Sequence, residues 1–377
     1  MREPYPGDLR RPALRFCITL LLALMVTSLL IDAAHAATIE PSHGRERVVV
    51  AIAALNKGTE VTDFLVPYGI LAEAGAEVLA VAPEAAPVTL WPAGRIAPHM
   101  DFAGFDAAHE AGADIVIIPA MVERGDEAVL NWLRDQAAKG ALMVSICEGS
   151  STLAETGLLD GRHATGHFYE HENRVRRYPH VEWQRNIRYV EDGNIISSSG
   201  VSASLPVSLL LAERIAGRGR AAEIAAHYGV ENWSAEHNSD AFNIGMREMA
   251  TATKNLLLGW PRADILIAVH EGVSEVDLAF PLDFASRSWK SETRLFADKT
   301  EVTTRHGLTL LADVTGDAPK RADVIRLPGD EGKGSLEIES AATLREEMLA
   351  WIGEKMGSGT AHFVAVQLEY PVPGGMR

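Results

Sequence analysis

The chain has 377 residues, 47% of them hydrophobic and 23% charged, with 2 Cys and a formal net charge of −16. That balance fits a folded protein with a sizeable core and excludes a disordered tail, a collagen-like repeat and a disulfide-rich mini-protein. The acidity argues against non-specific binding to nucleic acid or to an anionic membrane, and the length sets an expectation of two domains.

Arg2, Arg10, Arg11 and Arg15 precede an uncharged run from Phe16 to Ile31, and Ala34-His35-Ala36 puts small residues where a signal peptidase reads. The run is shorter than the roughly 20 residues of a spanning helix. Residues 1–36 therefore read as an export signal cut after Ala36, making the mature chain periplasmic or extracellular with no stable membrane association. An uncleaved membrane anchor is the alternative. Cys17 would leave with the signal and Cys147 would remain, so no internal disulfide is expected.

Residues 47–53 form a compact β-branched run that reads as a buried parallel strand. A helix is expected from Glu60 to Ala74, closed by Gly75. Strands follow at 77–82 and 113–119, then an amphipathic helix from Asp126 to Lys139, closed by Gly140. A strand at 141–146 and a helix at 149–155 complete the series. Strands alternating with helices predict an α/β protein with a parallel sheet covered on both faces and its site at the carboxyl ends of the strands.

The chain also resembles itself. Gly58, Asp63 and Pro67 return in register as Gly272, Asp277 and Pro281. The stretch ADIVIIP at 113–119 returns as ADVIRLP at 322–328, and Trp132 and Gly140 return as Trp351 and Gly359. The expected organisation is a complete domain at 45–228, a linker at 229–262 and a truncated second copy at 263–377. Two unrelated α/β domains are the alternative. In the second copy Val366 falls where Cys147 stands in the first, at the end of the corresponding strand, so that copy is expected to pack against the first or cover its pocket.

Ser145-Ile146-Cys147-Glu148-Gly149 sits between a strand and a helix. A sharp turn there lifts the cysteine to the sheet edge beside a helix N-terminus, which favours a thiolate. The alternative is a buried, inert cysteine at a strand end. The stretch from Ser145 to Phe168, with LLDGRHATGH at 158–167, resembles the cysteine-elbow signature of the ThiJ/PfpI superfamily. It is especially similar to the branch holding isonitrile hydratases and the sensor domains of AraC-type regulators. Gly58…Asp63…Pro67 and the GNIISSSG strand at 193–200 extend the resemblance over about 45–228.

The resemblance implies a flavodoxin-like parallel sheet sandwiched by helices. It implies Cys147 as nucleophile or redox-sensitive thiol, Asp63 as its acidic neighbour, and His167 near the pocket. Asp63 could instead serve only as a residue favoured at a helix N-terminus. Ala120 and Met121 stand where relatives often carry two glycines, so they and Gly149 are the expected substrate-binding positions. Glu148 follows the cysteine where the protease branch has His and the hydratase branch usually has Thr. It would add charge beside the sulfur or act as a second acid. No histidine occurs in Ser197–Gly200. Peptidase and glutaminase activity are therefore disfavoured.

His163, His167 and His171 could bind a metal only on one helix, which Gly161 and Gly166 argue against. On the family's pattern Arg162 to His167 is a strand, with His171 in the loop beyond, and no metal is expected. Arg174, Arg176, Arg177, Arg185 and Arg188 read as a solvated basic surface near acidic neighbours, or as an anion site. With no GxxxxGK[ST] loop and no GxGxxG after a strand, no nucleotide cofactor is expected. Two functions stay open. One is an exported enzyme adding Cys147 to an isonitrile or a reactive carbonyl. The other is a small-molecule sensor without turnover or a DNA-binding domain. Oxidation sensing at Cys147 is a third, weaker option, and a homodimer is possible.

Overall fold

The computed structural model describes residues 38–259 and 262–371. The expected export signal and its cut after Ala36 lie outside them. The order begins with β1 (Val49–Ala53), α1 (Val61–Glu73), β2 (Glu77–Ala82), β3 (Met100–Asp101), α2 (Phe102–Ala108), β4 (Ile115–Ile118), α3 (Glu127–Ala138), β5 (Leu142–Ser145) and α4 (Gly149–Glu155). It continues with β6 (Tyr189–Asp192), β7 (Ile195–Ser198) and α5 (Ser204–His227), a helix interrupted at Gly217. These strands make a seven-stranded sheet in the order β6–β7–β5–β4–β1–β2–β3. Every neighbouring pair is parallel except β6–β7. All five residues of β1 and all four of β4 are buried, as a strand covered on both faces requires. One face packs Phe102, Phe105, Trp132 and Leu133. The other packs α1 and α5.

The remainder carries α6 (Met246–Leu258), β8 (Ala263–Ala268), α7 (Glu275–Ser286), β9 (Ser291–Ala297), β10 (Val314–Thr315), β11 (Asp323–Arg326), β12 (Leu336–Glu337), α8 (Leu344–Met356) and α9 (Ser358–Gln367). Its sheet runs β10–β9–β8–β11–β12, all parallel. The strand expected around Val366 is absent. Residues 358–367 are helical, and the place beside β11 is taken by β12. The physical reason is packing: Ala361, Phe363, Val364, Ala365 and Val366 are buried together on α9, while Ser358, Gly359 and His362 stay at its surface.

The two sheets are joined by their helices. α1 and α7 pack directly on each other, and Phe64, Leu65, Tyr68, Val276, Phe280 and Phe284 belong to one continuous core. The approach is close at Gly69, where an added Cβ would stand 2.7 Å from Val276 Cγ2. A second joint is made of β-hairpins. The strand at Thr309–Leu311 pairs antiparallel with the one at Arg95–Ala97, which pairs with Val88–Trp91. No helix among the described residues is long and apolar enough to cross a membrane.

Candidate functional site

β5 ends at Ser145, and the chain turns at once into α4. Cys147 occupies the turn with φ 56, a left-handed backbone that a non-glycine residue adopts only where its surroundings enforce it. Its N–H donates to the Ser199 carbonyl at 3.1 Å, and its own carbonyl accepts the Ser150 hydroxyl at 3.0 Å. Gly149 makes the turn possible. A Cβ there would meet the Ile118 carbonyl oxygen at 2.0 Å, so only glycine lets α4 start this close to β4. Gly149 therefore shapes the elbow, while the cavity wall is made by its neighbours.

That cavity encloses about 300 Å³. Cys147, Glu148, His167, Ala120 and Met121 line it, together with Glu60, Trp91, Val122, Tyr169, Glu170, Val201 and Arg287. Asp63 lies fully buried in the first turn of α1. Its Oδ2 accepts the Ala120 N–H at 3.1 Å, whereas its Oδ1 is buried without a partner among the described residues. The Ala120 amide is thus engaged by Asp63 and does not face the cavity as a free oxyanion donor.

The sequence left the thiol favoured as thiolate; the structure reverses that. Burial, followed by the carboxylates of Asp63, Glu148 and Glu60, holds the Cys147 thiol well above its ordinary value, and Arg287 opposes them. A seven-residue helix end does not offset three carboxylates around a buried sulfur. Burial likewise pushes Asp63 up to about 7, against the Ala120 hydrogen bond and the Arg287 charge. Glu60 is raised by burial and by the Asp283 and Asp63 charges. A carboxyl near 7 is divided between its two forms at neutral pH, as a group that both takes and gives protons must be.

Glu148 is fixed from two sides. The Arg174 guanidinium pairs with its Oε1, and the Ser151 hydroxyl donates to its Oε2 at 2.7 Å. The sequence places Arg174 on a solvated basic surface or in an anion site. Instead its side chain is 1% exposed, stands 5.2 Å from the Trp183 ring centroid and donates to the His167 carbonyl at 2.7 Å. The partner that draws it inward is 26 residues away, beyond any local signal. His167 Nε2 lies 3.0 Å from the Gln367 carbonyl and its Nδ1 accepts the Tyr169 N–H at 3.3 Å. The expected strand from Arg162 to His167 shrinks to His163–Ala164, and His171 opens a short helix rather than lying in a loop. The three histidines are not brought together: exposed His163 pairs with Glu182, and only His167 reaches the cavity.

Sequence reasoning missed Glu60, Trp91, Asp283 and Arg287. Glu60 caps α1, its Oε2 accepting the Asp63 N–H at 2.7 Å. Arg287 follows α7 and donates to Glu60 Oε1 at 2.9 Å and to Asp283 Oδ1 at 2.5 Å. A signal existed: Asp283 and Arg287 are four apart at the end of a helix whose second half is otherwise mostly apolar, and buried charges demand partners.

A buried cysteine in strained backbone, between the carboxyl end of an interior parallel strand and a helix, defines an α/β protein of the cysteine-elbow class. Residues 46–214 match the DJ-1/PfpI family, and this part of the chain is a DJ-1/PfpI family domain. The isonitrile hydratase of Pseudomonas putida is 32% identical over 110 residues, 28% of this chain and 46% of that protein. Protein dj-1beta of Drosophila melanogaster is 28% identical over 117 residues, 30% of this chain and 61% of that one. The chain thus spans roughly half the length of these relatives. The crystal structure of Drosophila melanogaster DJ-1beta is similar with a TM-score of 0.45 and 22% identity, over 49% of this chain and 100% of that one.

Proposed function

We propose that the protein hydrates a small, neutral electrophile through Cys147, with an isonitrile as the substrate the site fits best. The observation that carries this reading is the thiol on a strained elbow, facing a small cavity, with a carboxyl titrating near 7 behind it. The relative named isonitrile hydratase supports the same choice. Asp63 makes no hydrogen bond to the sulfur, so its carboxylate takes the thiol proton through an intervening water while the sulfur bonds to the terminal isonitrile carbon. Protonated Asp63 then returns that proton through the same water to the carbon, leaving a thioimidate. Water adds to the thioimidate carbon, the C–S bond breaks, and the sulfur recovers its proton as the formamide leaves. One water is consumed and nothing is oxidised or reduced.

Trp91, Met121, Val122 and Val201 present an apolar wall, and Glu60 and Glu148 add carboxylates to it. Both features favour a neutral, apolar substrate over an acid. A panel of alkyl and aryl isocyanides, α-oxoaldehydes and α-oxo acids tests the proposal. We expect formamide production from the isocyanides, weak or no turnover of the acids, and a loss of about 10²-fold or more in Cys147→Ala. Turnover that survives Cys147→Ala would sink the thiol mechanism.

A sensor is the second reading, favoured by the raised thiol, which stays protonated at neutral pH. It expects saturable binding of a panel compound without product. Export directed by residues 1–36 belongs to either reading.

A further inference from the structure

The Cys147 site does not end with the family domain. Arg287 and Asp283 come from α7 and its C-terminal end, beyond residues 46–214. Arg287 nevertheless lines the cavity that Cys147 lines, with its side chain 11% exposed. It is held from three directions: Glu60 at 2.9 Å, Asp283 at 2.5 Å, and the Trp91 ring, whose centroid lies 4.8 Å from the guanidinium carbon. Thr62, in the first turn of α1, donates to Asp283 Oδ2 at 3.3 Å. Trp91 is itself placed by the hairpin that continues into the strand at Thr309–Leu311.

We propose that Arg287 is a positioning residue for the thiol chemistry of Cys147. It fixes the Glu60 carboxylate that caps α1 and offsets the negative charge crowding the sulfur. The proposal rests on reading Cys147 as the reacting group. The charged groups around the sulfur come from every side. Glu60 and Asp63 come from the start of α1, Glu148 from the elbow with Arg174 behind it, Asp283 and Arg287 from α7 and its end, His167 from the loop before Phe168 and Glu170 from the turn after it. Five of these are carboxyls. Arg174 is spent on Glu148 and the His167 carbonyl, which leaves Arg287 as the cation that faces Glu60 and the sulfur together. Without it, Glu60 and Asp283 would be buried carboxyls with no counter-charge, and the site would lose both its charge balance and the cap that orients Asp63.

The test is the pH profile of Cys147 alkylation by iodoacetamide in the full chain, which needs no substrate and no turnover. Arg287→Gln is expected to raise the midpoint by about one pH unit, slowing alkylation about tenfold below it, and Arg287→Lys is expected to recover part of the shift. Glu60→Gln is expected to move the midpoint the other way, because it removes a carboxylate rather than a cation. It also serves if Arg287→Gln does not fold. A folded Arg287→Gln whose midpoint matches the parent overturns the proposal, as does a Glu60→Gln midpoint that stays or rises. Failure of the hydration reading shows separately, as no formamide from any isocyanide or as isocyanide turnover that survives Cys147→Ala.

Discussion

Asp63 links burial to both chemistry and stability. Its carboxyl ordinarily titrates at 3.8 and is pushed up to about 7 here. Between those values the folded state holds a proton that the unfolded chain has released. This residue's contribution is therefore full below about 4 and is lost as pH rises through about 7, at no more than roughly 1.4 kcal/mol per pH unit. Asp63→Asn keeps an oxygen for the Ala120 N–H and cannot ionise. We expect the variant to melt a few degrees above the parent at pH 8, with the gap narrowing toward pH 5. A gap that does not change with pH would show that Asp63 ionises without strain. The same residue marks how much of the site was readable. Asp63 and Cys147 stand beside local punctuation, a helix start and a strand–turn–helix junction, which any single sequence displays. Arg174 gives no such sign, because its burial depends on a glutamate 26 residues away that happens to need a counter-charge.

At the scale of elements, the alternation of strands and helices from Val49 to Glu155 followed from hydrophobic period and glycine stops, since buried parallel strands and capped helices leave strong patterns. The failure at Val366 is as instructive. A short run with Ala361, Phe363, Val364, Ala365 and Val366 suits a buried strand or a buried helix alike, and packing against α6 and α8 decides for the helix. The α1–α7 contact was equally silent, because both helices are apolar on nearly every face and no stripe names the partner. It offers a direct test. Gly69→Leu would drive a side chain into Val276, and overpacking of this kind costs about 1–3 kcal/mol. We expect a melting point several degrees lower together with altered Cys147 alkylation, because the displaced helix carries Asp283 and leads into Arg287. An unchanged melting point would mean that the two helices separate without cost.

For the whole molecule, the residues from Ile39 onward form one compact unit in which two largely parallel sheets share a helical core. If residues 1–36 are an address, protein recovered from its natural host begins at Ala37. N-terminal sequencing that returns the upstream residues would remove the export reading and leave the site chemistry untouched. The hairpin joint has a mechanical consequence of its own. Only Thr309 with Ala97 and Leu310 with Ile96 pair across it. Two rungs of ladder can part by a local opening, far cheaper than unfolding either sheet. Trp91 rides on the strand next to that joint. A parting of those two rungs would shift Trp91 at the wall of the Cys147 cavity while leaving in place the sheet from which the cysteine rises.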